Sequence, residues 1–583
     1  MGTVRLKDLT EPEFRLWHAF SGGERVDFRT GPDDGPQSGS RWGRDRTIRA
    51  QVIAALLTGA STARAGSTRG LRLAGARISG PLTLAGAAVD QITDFEQCLF
   101  DAGIDLSEAT TRSVRLRGCF LPYLEGQRIT VHGEFAVQGC RLERLSLYAA
   151  RVTEVAVSRT TLANPGHTAF NADLLTVEAA MYCHDMHVEG LVRLPGAHIS
   201  GYLRIDGSYL ANPGGLVLQA DGLVVDNGLF ARKGHTDEHN PFTAIGEVRL
   251  DGARVKGGLM MDYARLSNSG AIALTADQIG VEGGMFLRGA AAEGEIRLRS
   301  ARITGPFSLA GATLSNRDGF ALNAERVAVD GGVFCHDGFA SYGEIRLRGV
   351  RVTGQFDLGA VPVYTAADRL GTGDLQSSRI SGSVDLRHAR IGTLRDDPGA
   401  WPCQLRFDGL TYDDLAPPLN AGQRLRWLDR TADGFQPQPY EQLASWYRSI
   451  GHDQDARRVL LTRQRKRRAG LRPAARFLGA VQDGLVGYGY RPWLAGLWLL
   501  GLLTSGTAYF SANHPQPVIS HQDMSFNAFG YTLDLILPVV NLGQQSSWNP
   551  QGASQAVAYA LIIGGWVLAT ALVAGITRVL VRG

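Results

Sequence analysis

Aromatic residues are scarce in this sequence, 8% of 583, and charged residues are held to 20%. The net charge is only +4. That balance excludes a disordered chain and a strongly basic nucleic-acid binder. Cysteine is sparse. Cys98, Cys119, Cys140, Cys183, Cys335 and Cys403 lie far apart and form no Cys-x-x-Cys pair. Disulfide frameworks are denser and sit in shorter chains, so these read as reduced core thiols. The N-terminus, MGTVRLKDLTEPEFRLW, lacks the apolar core of a secretory signal, so the bulk of the chain is expected in the cytoplasm. Motifs that carry chemistry are also absent: there is no GxxxxGK[ST], HExxH or GxSxG. The pairs Gly257-Gly258, Gly283-Gly284 and Gly331-Gly332 precede no helical period, so none opens a dinucleotide site. No cofactor is expected.

Glycine is what the sequence has in excess, at 72 residues, and an internal repeat uses it. Gly190 opens GLVRLPGAHISGYLRIDGSYLANPGGLVLQADGLVVDNGLF. Gly246, Gly294 and Gly343 open related segments beginning GEVRL, GEIRL and GEIRL, at successive spacings of 56, 48 and 49 residues. Fragments of the phrase recur from Leu71 and from Arg379. Inside a unit the apolar residues come in alternating pairs, such as Ile296 with Leu298, Phe307 with Leu309, Phe320 with Leu322 and Val327 with Val329. Such alternation makes short half-buried strands. Gly, Asn or Asp at the corners supplies positive φ at little cost. These strands stack as a right-handed parallel β-solenoid, each coil covering the apolar edge of the last. At about 24 residues per coil, residues 63–415 give roughly 14 coils, and at about 4.8 Å per coil the rod is on the order of 70 Å long.

A solenoid needs caps. Residues 1–62 are expected to form a helical one. Thr10-Glu11-Pro12-Glu13 is a capping box ahead of Phe14, Leu16 and Trp17. A second helix is expected from Arg46, with Ile48, Val52, Ile53, Leu56 and Leu57 on one face and Gly59 ending it. After the rod, residues 416–480 hold a proline-punctuated linker. They also hold a helical hairpin with Leu443, Ala444, Tyr447, Ala456 and Val459 placed around Ile450-Gly451.

Residues 481–583 read as a membrane domain. Trp493 to Phe510 is an 18-residue run without charge, and Ala556 to Ile576 one of 21. Crossing a bilayer takes about 20 apolar residues, so two transmembrane helices are expected; the alternative is a buried soluble hairpin. Arg463, Arg465, Lys466, Arg467 and Arg468 precede the first run, Arg578 and Arg582 follow the second, and Ser511 to Gln555 contains no Lys or Arg. Both termini are therefore expected on the cytoplasmic side. The basic run sets this topology or attracts anionic lipid, at about 1 kcal/mol per charge. No aromatics interleave it, so nucleic acid is not its partner. Between the helices, FGYTLDLILPVVNLGQ is too short to cross twice and fits a dipping segment. Asp534, Pro538 and Asn541 in it are the membrane-pathway candidates, because an intramembrane carboxylate is costly unless used.

Two further constellations carry ligand-type side chains. Cys183-His184-Asp185 and Cys335-His336-Asp337 recur at equivalent repeat positions. Neighbouring strand residues point to opposite faces, which favours inheritance through the repeat over a metal or redox site. His235, Asp237, Glu238 and His239 sit where the 56-residue unit exceeds its neighbours. They make a candidate metal site, with a solvated loop as the alternative.

The cap, the GARISG-type coils, YEQLA, GYGYRPW and LDLILPVVNLGQ together resemble a family of actinobacterial membrane-associated pentapeptide-like repeat proteins. Its C-terminus is a degenerate, channel-like pair of helices, and its members are often labelled "membrane-associated oxidoreductase". Where a potassium filter has TVGYG, this chain has PVVNLGQ, which specifies no carbonyl ring. Three functions stay open at this point. The first is a membrane-tethered scaffold or gating module, with membrane lipid, further copies of itself and a cytoplasmic protein along the rod as partners. The second is a channel-like subunit that conducts or senses ions. The third is the oxidoreductase that the resemblance implies.

Overall fold

The computed structural model describes the chain apart from residues 1–4, 32–33, 62–63, 65, 67, 235–239, 360–378, 398–400, 403, 470–492, 519–524, 538–540 and 581–583. The described residues fall into two units, Met1–Leu419 with Asp429–Ala432, and Asn420–Leu428 with Asp433–Gly583.

The first unit is a parallel β-solenoid of about 14 coils. Its core is a set of columns, each a vertical stack of like side chains. Ile303 lies between Val281 and Val329, and Phe307 between Met285 and Val333. Leu322 lies between Ile296 and Ile345. All of these are buried, and each such side chain is worth about 1.5–3 kcal/mol when removed from water. The alternation that predicts the strands is therefore the same alternation that fills the columns.

Coil length is not uniform, contrary to the expectation of a single coil length. Val281 stacks on Ile303, and Ile303 on Val329, and the first of these steps along the chain is shorter than the second. Short and long coils alternate, one of each per repeat unit, except that the coil from Val225 to Val255 is longer than either. In the first coils the repeat is shorter still, and it aligns cysteines that look remote in sequence. Cys119 N–H donates to Cys140 Sγ at 3.3 Å, and Cys140 N–H donates to Thr160 Oγ1 at 3.4 Å. Cys98, Cys119 and Cys140 are buried free thiols, as expected of core residues; Cys403 lies outside the described residues.

The cap begins with α1 (Glu11–Gly22), whose capping box is present and whose C-terminus is closed by Gly23 at φ +69°. Glu13 is fully buried and meets the Arg49 guanidinium at 2.6 Å. The expected second helix is shorter than predicted. Thr47–Arg49 is a strand paired with Arg77–Ser79, so Ile48 stacks on Ile78 rather than lying on a helical face. The helix proper, α2, is Ala50–Ala55, followed by a wider turn over Leu56–Ala60. The reason lies in the first coil, whose open edge carries unpaired N–H and C=O groups that need a partner strand. Val26–Asp27 supplies another, against Leu73–Ala74.

The second unit is helical. Helices α3 (Ala421–Leu428), α4 (Pro437–Ser449) and α5 (Asp453–Ala469) come first. Leu443, Ala444, Tyr447, Ala456 and Val459 are all buried, as their spacing predicts. Then come α6 (Trp493–Ala512), the nine-residue α7 (Ala528–Ile536) and α8 (Ala553–Leu580). Two stretches, Leu494–Ala512 and Ala553–Thr570, are long and apolar enough to cross a membrane, and their apolar windows are only 17% and 22% buried. Leu497, Trp498, Ile563 and Trp566 are exposed. Helix α7, at 1.5 Å per residue about 14 Å long, cannot cross. It packs between the long helices through Phe510, Tyr531, Leu535, Ile536 and Leu561. Gly565 permits this, because a Cβ there would lie 2.3 Å from the Ile536 carbonyl oxygen.

Candidate functional site

The extra residues that lengthen every second coil form one feature. Opposite Gly343, which fills the space between Tyr342 and Glu344, the preceding strand carries Asn316, Arg317, Asp318 and Gly319 between Ser315 and Phe320. The same four-against-one arrangement occurs after Ala163, Ala211 and Ser267. Each outward loop opens on an asparagine whose amide donates to the carbonyl four residues on. The pairs are Asn164 to Thr168 at 2.9 Å, Asn212 to Leu216 at 2.6 Å, Asn268 to Ile272 at 2.7 Å and Asn316 to Phe320 at 2.9 Å. These local bonds satisfy backbone groups that the ladder leaves behind at the bulge. The result is a row of ridges on one face of the rod, one ridge per two coils.

Between ridges, the short coil forms the floor of a notch. Gly294 shows why the repeat phrase begins with glycine. Its φ is +124°, and a Cβ would sit 2.6 Å from the Asn268 carbonyl and 2.9 Å from that of Ala271. Two notches are large clefts. One of 630 Å³ lies between the ridges at Ser269–Ala271 and Asn316–Gly319, over Glu293 and Glu295. The next, of 880 Å³, runs from Arg317–Phe320 past Tyr342 and Glu344 to Ser381–Ser383. Glu293 accepts from Ser267 Oγ at 3.0 Å, Glu295 from Asn323 Nδ2 at 3.0 Å and Glu247 from Thr275 Oγ1 at 2.8 Å. Hydroxyl and amide donors orient these carboxylates. The alternating apolar pairs that predict the strands do not reveal the ridges. The recurring Asn at the start of each inserted loop is the signal for them.

The Cys-His-Asp corners are divided as strand geometry requires. Cys183 and Cys335 point inward and are buried, and burial pushes both thiols up to about 12. His184 and His336 point outward, each 3.1 Å or 2.9 Å from the carboxylate of the following Asp. Asp185 and Asp337 hold φ of +55° and +53°, the left-handed corner that Asp tolerates. Each residue type is thus explained by its place in the coil. A maleimide at about pH 8 is expected to leave Cys183 and Cys335 unmodified in the folded protein and to label both in denaturant, because only the thiolate reacts; labelling at equal rates would contradict the burial. The same shift sets a pH dependence. Between the ordinary thiol value of 9.0 and about 12 the unfolded chain has lost these protons and the folded chain keeps them. Stability therefore falls as pH rises through that window, which denaturant melts at stepped alkaline pH will read.

In the second unit the pathway candidates separate. Asp534 is buried, and its two oxygens accept from the backbone N–H groups of Leu542 and Gln545, each at 2.7 Å. It fastens α7 to the chain that follows. Asn541 Oδ1 accepts from Gly543 N–H at 2.8 Å and its side chain is exposed. Pro538 lies outside the described residues. Of the basic run, Arg463 is paired with Glu441 of α4, Arg465 and Arg467 are exposed, and Lys466 is half-buried; the Arg468 side chain lies outside the described residues. His235, Asp237, Glu238 and His239 also lie outside them. Among the described residues no group of three His, Cys, Asp or Glu is placed to hold a metal ion. Comparison with protein-family models, curated proteins and solved structures finds no match to the chain.

Proposed function

We propose that this chain is an integral membrane protein that presents its solenoid in the cytoplasm as an interaction platform. The observation that carries the reading is the ridged face: recurring notches, floored by oriented carboxylates, on a scaffold whose cysteines and Cys-His-Asp corners, among the described residues, are buried or committed to structure. The two long apolar helices, exposed over most of their surface, supply the anchor, with lipid as their solvent. The basic residues before α6 and the absence of Lys and Arg between the helices orient both termini inward. Gly564 and Gly565 pack against Leu502 and Ile536 of the same chain, so association with further copies would use the exposed faces of α6 and α8. The short α7 between two long helices favours a channel-like subunit as a second reading. Against it, Asp534 is already spent on two backbone amides of its own loop.

The test is placement and contact. Alkaline carbonate is expected to leave the protein in the membrane fraction, and external protease to cut the rod only after permeabilisation. A photo-crosslinking residue at Ser269 is expected to form adducts in the native cell that the same residue at Asp330, away from the ridges, does not. Release by carbonate, or identical adduct patterns at the two positions, would overturn the reading.

A further inference from the structure

We infer that the ridged face binds an extended cationic peptide in the polyproline II conformation, with Arg or Lys at every third residue. This rests on the platform reading and names its partner's chemistry. The first argument is period. Notches recur every two coils, about 9.6 Å at the inter-strand spacing. A polyproline II helix has three residues per turn at a rise of 3.1 Å, so one of its faces repeats about every 9.3 Å. A β-strand presents the same face about every 6.7 Å and falls out of step within one notch.

The second argument is the floor. Leu216 stacks beside Glu247, Ile272 beside Glu295 and Phe320 beside Glu344, all half-buried and facing out. At these three steps an apolar residue and an acidic one therefore lie side by side, whereas the equivalent step pairs Thr168 with Leu191. Each turn of the peptide would set a basic side chain on a carboxylate and an apolar ring on the residue beside it. Phe320 and Tyr342 line the larger cleft, and aromatic walls suit the rigid, low-entropy polyproline helix. Glu293 joins Glu295 in one notch, whereas Glu344 already has Arg346 at 3.3 Å and Arg406 at 3.8 Å. Arg317 stands on the shared rim, over the Tyr342 ring at 5.8 Å, and favours a neutral residue of the peptide there.

Full-length protein in detergent, titrated into fluorescein-labelled (Pro-Pro-Arg)5 and into a scrambled peptide of identical composition, tests this by anisotropy. The periodic peptide is expected to bind about tenfold more tightly, and the double variant Glu247→Gln/Glu295→Gln to lose about tenfold. Glu282→Gln/Asp330→Asn, outside the notches, is expected to bind as the parent does. Glutamine keeps an acceptor oxygen, and circular dichroism verifies the fold of each variant. Equal affinity for both peptides, or equal loss in both double variants, would overturn the inference. Crosslinks at Ser269 without a preference for the periodic peptide would overturn it too, and would leave the platform standing.

Discussion

Replacing Gly294 with valine is expected to cost the rod about 2–6 kcal/mol, strain and overpacking together. The residue sits at φ +124°, where a β-branched side chain is an outlier. Its new Cβ would meet two backbone carbonyls, of Asn268 and Ala271, at 2.6 and 2.9 Å. Carbonyls cannot rotate aside as a flexible side chain can, so one ridge must open. Because coils touch only their neighbours, amide exchange should accelerate around residues 265–323 and stay unchanged in the cap. Gly270→Ala is the control. Its φ is +74° and nothing lies within 4 Å of the added Cβ, so only the backbone strain remains, about 1–2 kcal/mol. If Gly294→Val melted with the parent protein, the ridge-to-floor contact described above would be wrong.

Asp534→Ala is expected to destabilise the helical unit by a similar amount. It removes the charged acceptor of the Leu542 and Gln545 N–H groups, and a hydrogen bond to a charged group is worth about 1.5–3 kcal/mol. Asp534→Asn keeps one acceptor but turns its NH2 toward the other N–H, so it should fall between parent and alanine variant. Thermal unfolding in detergent, read by tryptophan fluorescence, gives the order. The same two variants decide between fastener and pathway. A carboxylate in an ion path would change flux in both variants and leave the melting temperature alone.

The columns of the solenoid were legible because burial and strand alternation impose the same period on residues such as Ile296, Phe307 and Val329. The two long apolar helices were legible for a similar reason, since charge is excluded over the whole of each run. What escaped is polar or made of backbone. The alternation of short and long coils hides inside a nearly constant repeat, because the extra residues make a surface loop that leaves the apolar columns in phase. The stacked thiols of Cys98, Cys119 and Cys140 were hidden by their wide separation in sequence, which becomes adjacency only once the local coil length is known. Ile48 reads equally well on a helix or a strand, and the unpaired edge of the first coil decided between them. The Asp534 partners are main-chain amides, which leave no mark in a side-chain pattern.

The alternation of long and short coils also makes the rod a ruler with teeth, graduated in pairs. Loss or duplication of one whole repeat unit changes the tooth count by one and keeps every remaining notch in step. Loss of a single short coil would set two Asn-headed loops on adjacent rungs about 4.8 Å apart, where their carbonyls would compete for the space that Gly294 now occupies. The molecule can therefore lengthen its ridged face only in whole teeth, a quantised step.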